Sequence, residues 1–111
     1  MKIKFGILKN SSDFKNLTEK GYRLNTEFFK LIISSINDGD NKIRLGFAIG
    51  KKTGKAVVRN TIKRRIKEIF RNINKTGSRS LDILVIVKKE INSLRYEELK
   101  SLIMQKVAKF L

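Results

Sequence analysis

Lys51-Lys52-Thr53-Gly54-Lys55-Ala56-Val57-Val58-Arg59-Asn60-Thr61-Ile62-Lys63-Arg64-Arg65-Ile66-Lys67-Glu68-Ile69-Phe70-Arg71 is the stretch on which the fold turns. It carries nine basic residues and one acid, Glu68, a net +8 that is half of the chain's formal +16. At about 100° per helical residue, Val58, Ile62, Ile66, Ile69 and Ile73 fall within an apolar arc of roughly 80°. Lys63, Lys67, Asn60, Arg71 and Arg64 fill an opposing arc of roughly 100°. Arg65 flanks the apolar arc, where its stem can lie along a sheet edge with its head in water. The spacing predicts a helix over 56–73. Its β-branched face is a poor helix former, so packing on a sheet must hold it.

The sorted charge argues for a binding surface. A solvated helix face ordinarily mixes both signs. Here Arg59, Lys63, Lys67 and Arg71 follow one another at i,i+4, each like-charged pair costing roughly 0.2–0.5 kcal/mol. A polyanion removes that repulsion. With 26 Lys and Arg against 10 Asp and Glu, the partner is nucleic acid or an anionic membrane. The chain has no Trp for a membrane interface, and the apolar face of the basic helix reads as core, so nucleic acid is favoured and no membrane partner is expected.

Outward from this helix, the 111 residues suffice for one domain with one core, residues 1–111. There is no Cys and no His, which removes disulfides, thiolate nucleophiles, Cys-based zinc sites and the usual general base. The longest apolar runs are too short to span a bilayer, and residues 1–6 lack the apolar segment of a secretory signal. Cytoplasm is the expected compartment.

Residues 8–14 lead into a short helix capped by Ser11 or Ser12, with Phe14 and Leu17 on its apolar side and Gly21 as its C′ residue. Residues 22–36 read as extended, with a break near Asn25-Thr26. A turn over 37–41 precedes a strand over 42–49, in which Ile43, Leu45, Phe47 and Ile49 share one face. These two extended segments are expected to pair antiparallel. Residues 50–55 form a basic loop, 74–80 a mobile one, and 81–87 a buried strand. Asn92 or Ser93 caps a final helix reaching Leu111, with Leu94, Leu99, Leu102, Ile103, Val107 and Phe110 turned inward. The order helix, strands, helix, strand, helix makes a small α+β sandwich.

Lys51-Lys52, Gly54-Lys55-Ala56-Val57-Val58 and Arg59-Asn60-Thr61-Ile62-Lys63-Arg64 resemble the signature helix and lead-in of the bacterial ribonuclease P protein subunit. The likeness extends to the spacing over 8–14, the element order and the length. Thr61 stands where that family has its second Arg, Gly50 where a small hydroxyl residue precedes the lysines, and Thr18 where the first helix often has another aromatic. The resemblance implies a ribosomal protein S5 domain 2-like fold with a left-handed βαβ crossover, against the usual hand. It implies a protein that assists endonucleolytic removal of the 5′ leader of precursor tRNA, while the RNA subunit carries the catalytic site and most of the Mg2+. Its partners are then the catalytic RNA and precursor tRNA, with the free protein a monomer.

Under that reading Lys51, Lys52, Lys55, Arg59, Asn60, Lys63, Arg64, Lys67 and Arg71 meet RNA. The cations neutralise phosphates and release counterions, and Asn60 adds a directed hydrogen bond. The family's leader cleft lies between the first helix and the sheet. Phe14, Phe28, Phe29 and Phe47 could stack leader bases there, and each reads equally well as core. No protein residue is expected to be catalytic or to bind metal. A protein-encoded nuclease would need converging carboxylates; Asp38, Asp40, Glu97 and Glu98 read instead as solvated charge. A non-catalytic RNA-binding module of the ribosomal-protein type is the alternative.

Overall fold

The computed structural model describes residues 4–8, 10–73, 77 and 79–111. Strand β1 (Lys4–Ile7) is followed by α1 (Ser11–Lys20), β2 (Tyr22–Asn25), β3 (Phe29–Ile36) and β4 (Lys42–Ile49). A 3-10 turn at Lys51–Thr53 opens into α2 (Ala56–Arg71), then β5 (Ser80–Val87). A second 3-10 turn (Lys89–Ser93) leads to α3 (Tyr96–Val107) and a last one (Ala108–Phe110). The five strands form one sheet in the order β1-β4-β5-β3-β2. This is the expected α+β architecture, with a strand ahead of the first helix. Four residues interrupted by Gly6 are too short to show a period-2 signal, yet they pair parallel with β4, Phe5 opposite Ile43.

One sequence expectation fails. Segments 22–36 and 42–49 do not pair with each other. β5 lies between them, antiparallel to β3 and parallel to β4. Seven of its eight residues are buried, as befits a strand covered on both faces. The turn over 37–41 therefore spans two strand spacings, about 10 Å, instead of closing a hairpin. It is pinned to the start of β5: the buried Ser80 hydroxyl donates to Asp38 Oδ1 at 2.6 Å and accepts from the Lys42 N–H at 3.1 Å. Asp38 is thereby held below the ordinary carboxylate range, chiefly by the Ser80 hydrogen bond and then by the Asp40 N–H.

Helix ends differ from expectation in detail. The residue before α1 is Asn10, and its side chain makes no capping bond. Gly21 follows α1 in extended backbone, φ −71°, not in a left-handed C′ geometry. Its lack of a side chain is used otherwise: a Cβ there would lie 2.4 Å from Ile32 Cγ2 and 2.5 Å from the Leu17 carbonyl. Asn92 and Ser93 belong to the preceding 3-10 turn. Arg95 precedes α3, and its N–H donates to Glu98 Oε1 at 3.0 Å. That bond, and the Arg95 guanidinium beside it, lowers the Glu98 pKa. α2 stops at Arg71, two residues short of 73. Of the loop expected over 74–80, residues 74–76 and 78 lie outside the described residues.

Two clusters hold the layers. The main one joins Ile62, Ile66, Ile69 and Phe70 of α2 and Leu99, Ile103 and Val107 of α3 to alternate positions of β3, β4 and β5. The smaller one, on the opposite face, joins Leu8 and Leu17 to Ile32 and Leu84, with Phe14 and Ile86 packed against it. Among the described residues no helix is long and apolar enough to cross a membrane.

Candidate nucleic-acid interface

The inner side of α2 is fixed by burial of Ile62, Ile66, Ile69 and Phe70, with Ile73 buried just beyond its end. Val58, placed on the apolar arc by periodicity, is 38% exposed. It precedes the part of α2 that meets the core and packs near Gly54, where a Cβ would lie 2.8 Å from its Cγ1. Gly54 also takes φ +153°, so the turn into the helix favours glycine on both counts. The loop before it is tied down by Thr53, which is buried and whose carbonyl accepts from Asn92 Nδ2 at 2.7 Å.

With the inner side fixed, the opposite arc faces out. Asn60, Lys63, Arg64, Lys67 and Arg71 line one shallow concavity of about 550 Å³, together with Glu68 and Asn72. None of its four cations is in an ion pair among the described residues. Two of them lean on rings of the sheet: Lys67 Nζ is 6.0 Å from the Phe47 centroid, and the Arg71 guanidinium is 5.1 Å from that of Phe5. Such contacts orient a cation and contribute about 0.5–1 kcal/mol at exposed sites. Asn72 joined the surface unforeseen; its amide caps the helix by donating to the Glu68 carbonyl at 3.0 Å.

The other basic residues of the segment stand apart from this concavity. Lys51, Lys52 and Lys55 are exposed on the loop ahead of α2. Arg59 lies about 20° around the helix from Ile66; it is half-buried, and its Nε is shielded without a hydrogen-bond partner. Arg65 is exposed beside the apolar arc. Thr61 donates its hydroxyl to the Val57 carbonyl at 2.9 Å, so this position is satisfied within its own helix.

The four candidate stacking aromatics do not converge. Phe29 is 1% exposed in the main cluster, so no base can reach it. Phe28 and Phe47 are half-buried against that same cluster. Strict alternation does not apply to Phe28, because it precedes β3. Thr26 Oγ1 accepts from the N–H groups of both Phe28 and Phe29, at 3.1 and 3.0 Å, and turns the chain there. Phe14 alone belongs to the α1 face. Its ring lies over Gly46, where a Cβ would be 2.5 Å from Phe14 Cε1. Two residues further along β4, Ala48 is exposed, and neighbouring Ile86 and Lys30 are half-buried. Beyond Phe14 this face is thus only partly covered.

An ion-pair group that sequence reading passed over positions α1. Asp82 is 6% exposed. It accepts both Nε and Nη2 of Arg44, at 2.8 and 2.7 Å, and Arg44 Nη1 lies 3.6 Å from Asp13 in the first turn of α1. These hydrogen bonds, donated by Arg44 to Asp82, raise the Arg44 pKa. A lone acid inside an apolar strand was the available signal, since buried carboxylates are almost always paired. Of the carboxylates weighed for metal chemistry, Asp38 and Asp40 sit 3.8 and 3.2 Å from Lys42 Nζ and Glu98 is engaged by Arg95. Among the described residues no three acidic side chains gather around a common point.

Comparison with known proteins gives this geometry a context. The family profile described as Ribonuclease P matches residues 4–110. The ribonuclease P protein component of Mycoplasma mycoides is 36% identical over 99 residues, 87% of this chain and 89% of the relative. That of Streptococcus pneumoniae is 33% identical over 100 residues, 90% and 79% of the two chains. Among solved structures, the Staphylococcus aureus RNase P protein superposes with a TM-score of 0.77 at 30% identity, covering 93% of this chain and 94% of that one. The Thermotoga maritima RNase P protein gives 0.77 at 25% identity, covering 92% and 94%.

Proposed function

We propose, from the premise that this chain belongs to the ribonuclease P protein family, that its α2 surface docks on the RNA subunit and its α1 face holds the 5′ leader of precursor tRNA. As a family member it is a protein component of ribonuclease P, a ribonucleoprotein of tRNA processing. The observation that supports the docking surface is the concavity of Asn60, Lys63, Arg64, Lys67 and Arg71. Each cation there neutralises a phosphate and releases a counterion, so the surface gives affinity without reading sequence. Asn60 supplies a directed donor and acceptor for a phosphate, 2′-hydroxyl or base edge. Lys51, Lys52 and Lys55 extend the positive surface from the preceding loop, and Arg59 offers its shielded Nε to an acceptor brought by the partner.

On the other face, the half-buried ring of Phe14 can stack a single-stranded base, a contact of roughly 1–3 kcal/mol. Lys88 donates to Asn25 Oδ1 and to the Thr26 carbonyl at 2.7 and 2.6 Å, placing a cation on the strand-end side of the same sheet. The chemistry of leader removal belongs to the RNA in this reading. In the same reading Mg2+ is held mainly by the RNA subunit, and no step passes through the protein. The protein lowers the demand for magnesium by contributing fixed positive charge and by binding the leader. It works in the cytoplasm and is a monomer when free.

The test is reconstitution. The purified protein alone should not cleave precursor tRNA; with a bacterial ribonuclease P RNA it should restore cleavage at low magnesium. Replacing Lys63 and Arg64 by Glu should weaken RNA-subunit binding and reduce the slope of log K against log salt by about two. Equal cleavage with and without the protein would leave only an RNA-binding module of the ribosomal-protein type, and an unchanged slope would move the interface off α2.

A further inference from the structure

A second aromatic and cationic cluster lies at the far edge of the sheet. Tyr22 opens edge strand β2 and is 50% exposed. Phe110, in the closing 3-10 turn, meets it with ring centroids 5.6 Å apart and planes at 59°. Lys109 Nζ donates to the Tyr22 hydroxyl at 3.0 Å and lies 4.1 Å from the Tyr22 centroid and 5.4 Å from that of Phe110. Lys20 and Arg23 flank the tyrosine in sequence, and Lys106 lies one turn ahead of Lys109. None of these four cations is in an ion pair among the described residues.

The place matters as much as the composition. α2 packs over β4, and its Lys67 and Arg71 lean on rings of β4 and β1. Tyr22 is on β2, the opposite edge. Three strand spacings separate β4 from β2, roughly 14 Å. Phe14 is on the other face of the sheet altogether. The cluster is therefore separate from both surfaces described above.

We propose that Tyr22, Phe110 and Lys109 form a further contact for single-stranded RNA, in which a base stacks on the exposed part of Tyr22 and the adjoining phosphate meets Lys109. The partner is chosen by charge and shape. An edge rich in unpaired cations suits a polyanion. A half-exposed ring beside an ammonium suits a base next to its phosphate, and stacking accepts any base. If the cluster served only to fasten the last turn to β2, Tyr22 would be expected to close against its neighbours, whereas the residue stays 50% exposed. A site here lets the protein hold a stretch of RNA distinct from the one on α2.

The chain carries two tyrosines and no tryptophan, which makes the test local. In the full-length Tyr96→Phe variant, Tyr22 is the one remaining tyrosine fluorophore. Titration with an unstructured oligouridylate of about ten nucleotides should quench its emission saturably, because a stacked base takes up the excitation. The same quenching should survive Lys63→Glu/Arg64→Glu, which disables the α2 surface. By anisotropy of the labelled oligonucleotide, in that Lys63→Glu/Arg64→Glu background, Tyr22→Ala should weaken binding about five-fold, the low end for base–aromatic stacking. Lys109→Ala should weaken it less and flatten the salt slope by about one. Unchanged Tyr22 emission while the oligonucleotide binds, or equal affinity after Tyr22→Ala, overturns the proposal and leaves the α2 interface untouched. Quenching by anionic lipid vesicles without quenching by the oligonucleotide overturns it as well.

Discussion

The face of the sheet beneath α2 and α3 and the face beneath α1 are packed to different depths. On the first, two helices close over alternate residues of β3, β4 and β5, and Phe29, Phe70, Ile66 and Ile103 are at most 1% exposed. On the second, one ten-residue helix covers Ile32 and Leu84, while Ile86 stays half-buried and Ala48 is exposed. The first face supplies the apolar burial, and its outer wall carries the sorted cations. The second is held to its helix by a small cluster and one ion-pair group, and it stays partly uncovered. Rigid support and accessible surface are thus divided between the two sides of one sheet.

The sharpest way to break this contrast is through Phe70. It is fully buried and backs the cationic wall. Phe70→Ala should cost about 3–5 kcal/mol in denaturant unfolding, and RNA-subunit binding should fall with it as α2 loses its seat. A cost near that of a substitution on the α1 face would mean that the two faces share the burden equally.

A smaller effect is expected at the ion-pair group. Asp82→Ala leaves Arg44 without its bidentate partner and loosens its hold on Asp13. Full burial would put the cost near 3–5 kcal/mol. Arg44 keeps 28% of its side chain exposed, so water compensates part of the loss and about 1–2 kcal/mol is expected. Hydrogen exchange should speed up in α1 and hardly change in α2 or α3. Uniform acceleration across all three helices would show that the group serves global stability instead of the placement of α1.

The basic helix was legible in the sequence because two independent signals, apolar periodicity and charge sorting, coincide on it. Strand β5 was legible as buried for the same kind of reason: 81–87 is almost wholly apolar. Its partners were not, since apolarity says that a strand is central without saying which neighbours flank it. Local order then favoured a hairpin between 22–36 and 42–49, and the long-range insertion of β5 overrode it. β1 was invisible because four residues carry too little pattern. The aromatics divided as they did for a local reason, the Thr26 turn, which ends alternation before Phe29. The Asp82–Arg44–Asp13 group joins residues from β5, β4 and α1, a proximity that only the sheet order creates.

The mildest test concerns Gly46, over which the Phe14 ring lies. An added methyl would come within 2.5 Å of Phe14 Cε1 and 2.9 Å of Cζ, so the ring must move. Both atoms are at the far end of a side chain that is only half-buried, so the cost in stability should be only about 1 kcal/mol. Part of it is offset, because alanine fits a strand better than glycine by roughly 0.5–1 kcal/mol. If Phe14 lines the leader path, Gly46→Ala should reduce affinity for precursor tRNA with a leader several-fold, leaving mature tRNA and RNA-subunit binding unchanged. Phe14→Ala should do the same, and the double variant should lose little more than either alone, since the methyl acts through the ring. Additive losses would mean that Gly46 touches the leader by itself, and equal losses for substrates with and without a leader would assign Phe14 to the packing of α1.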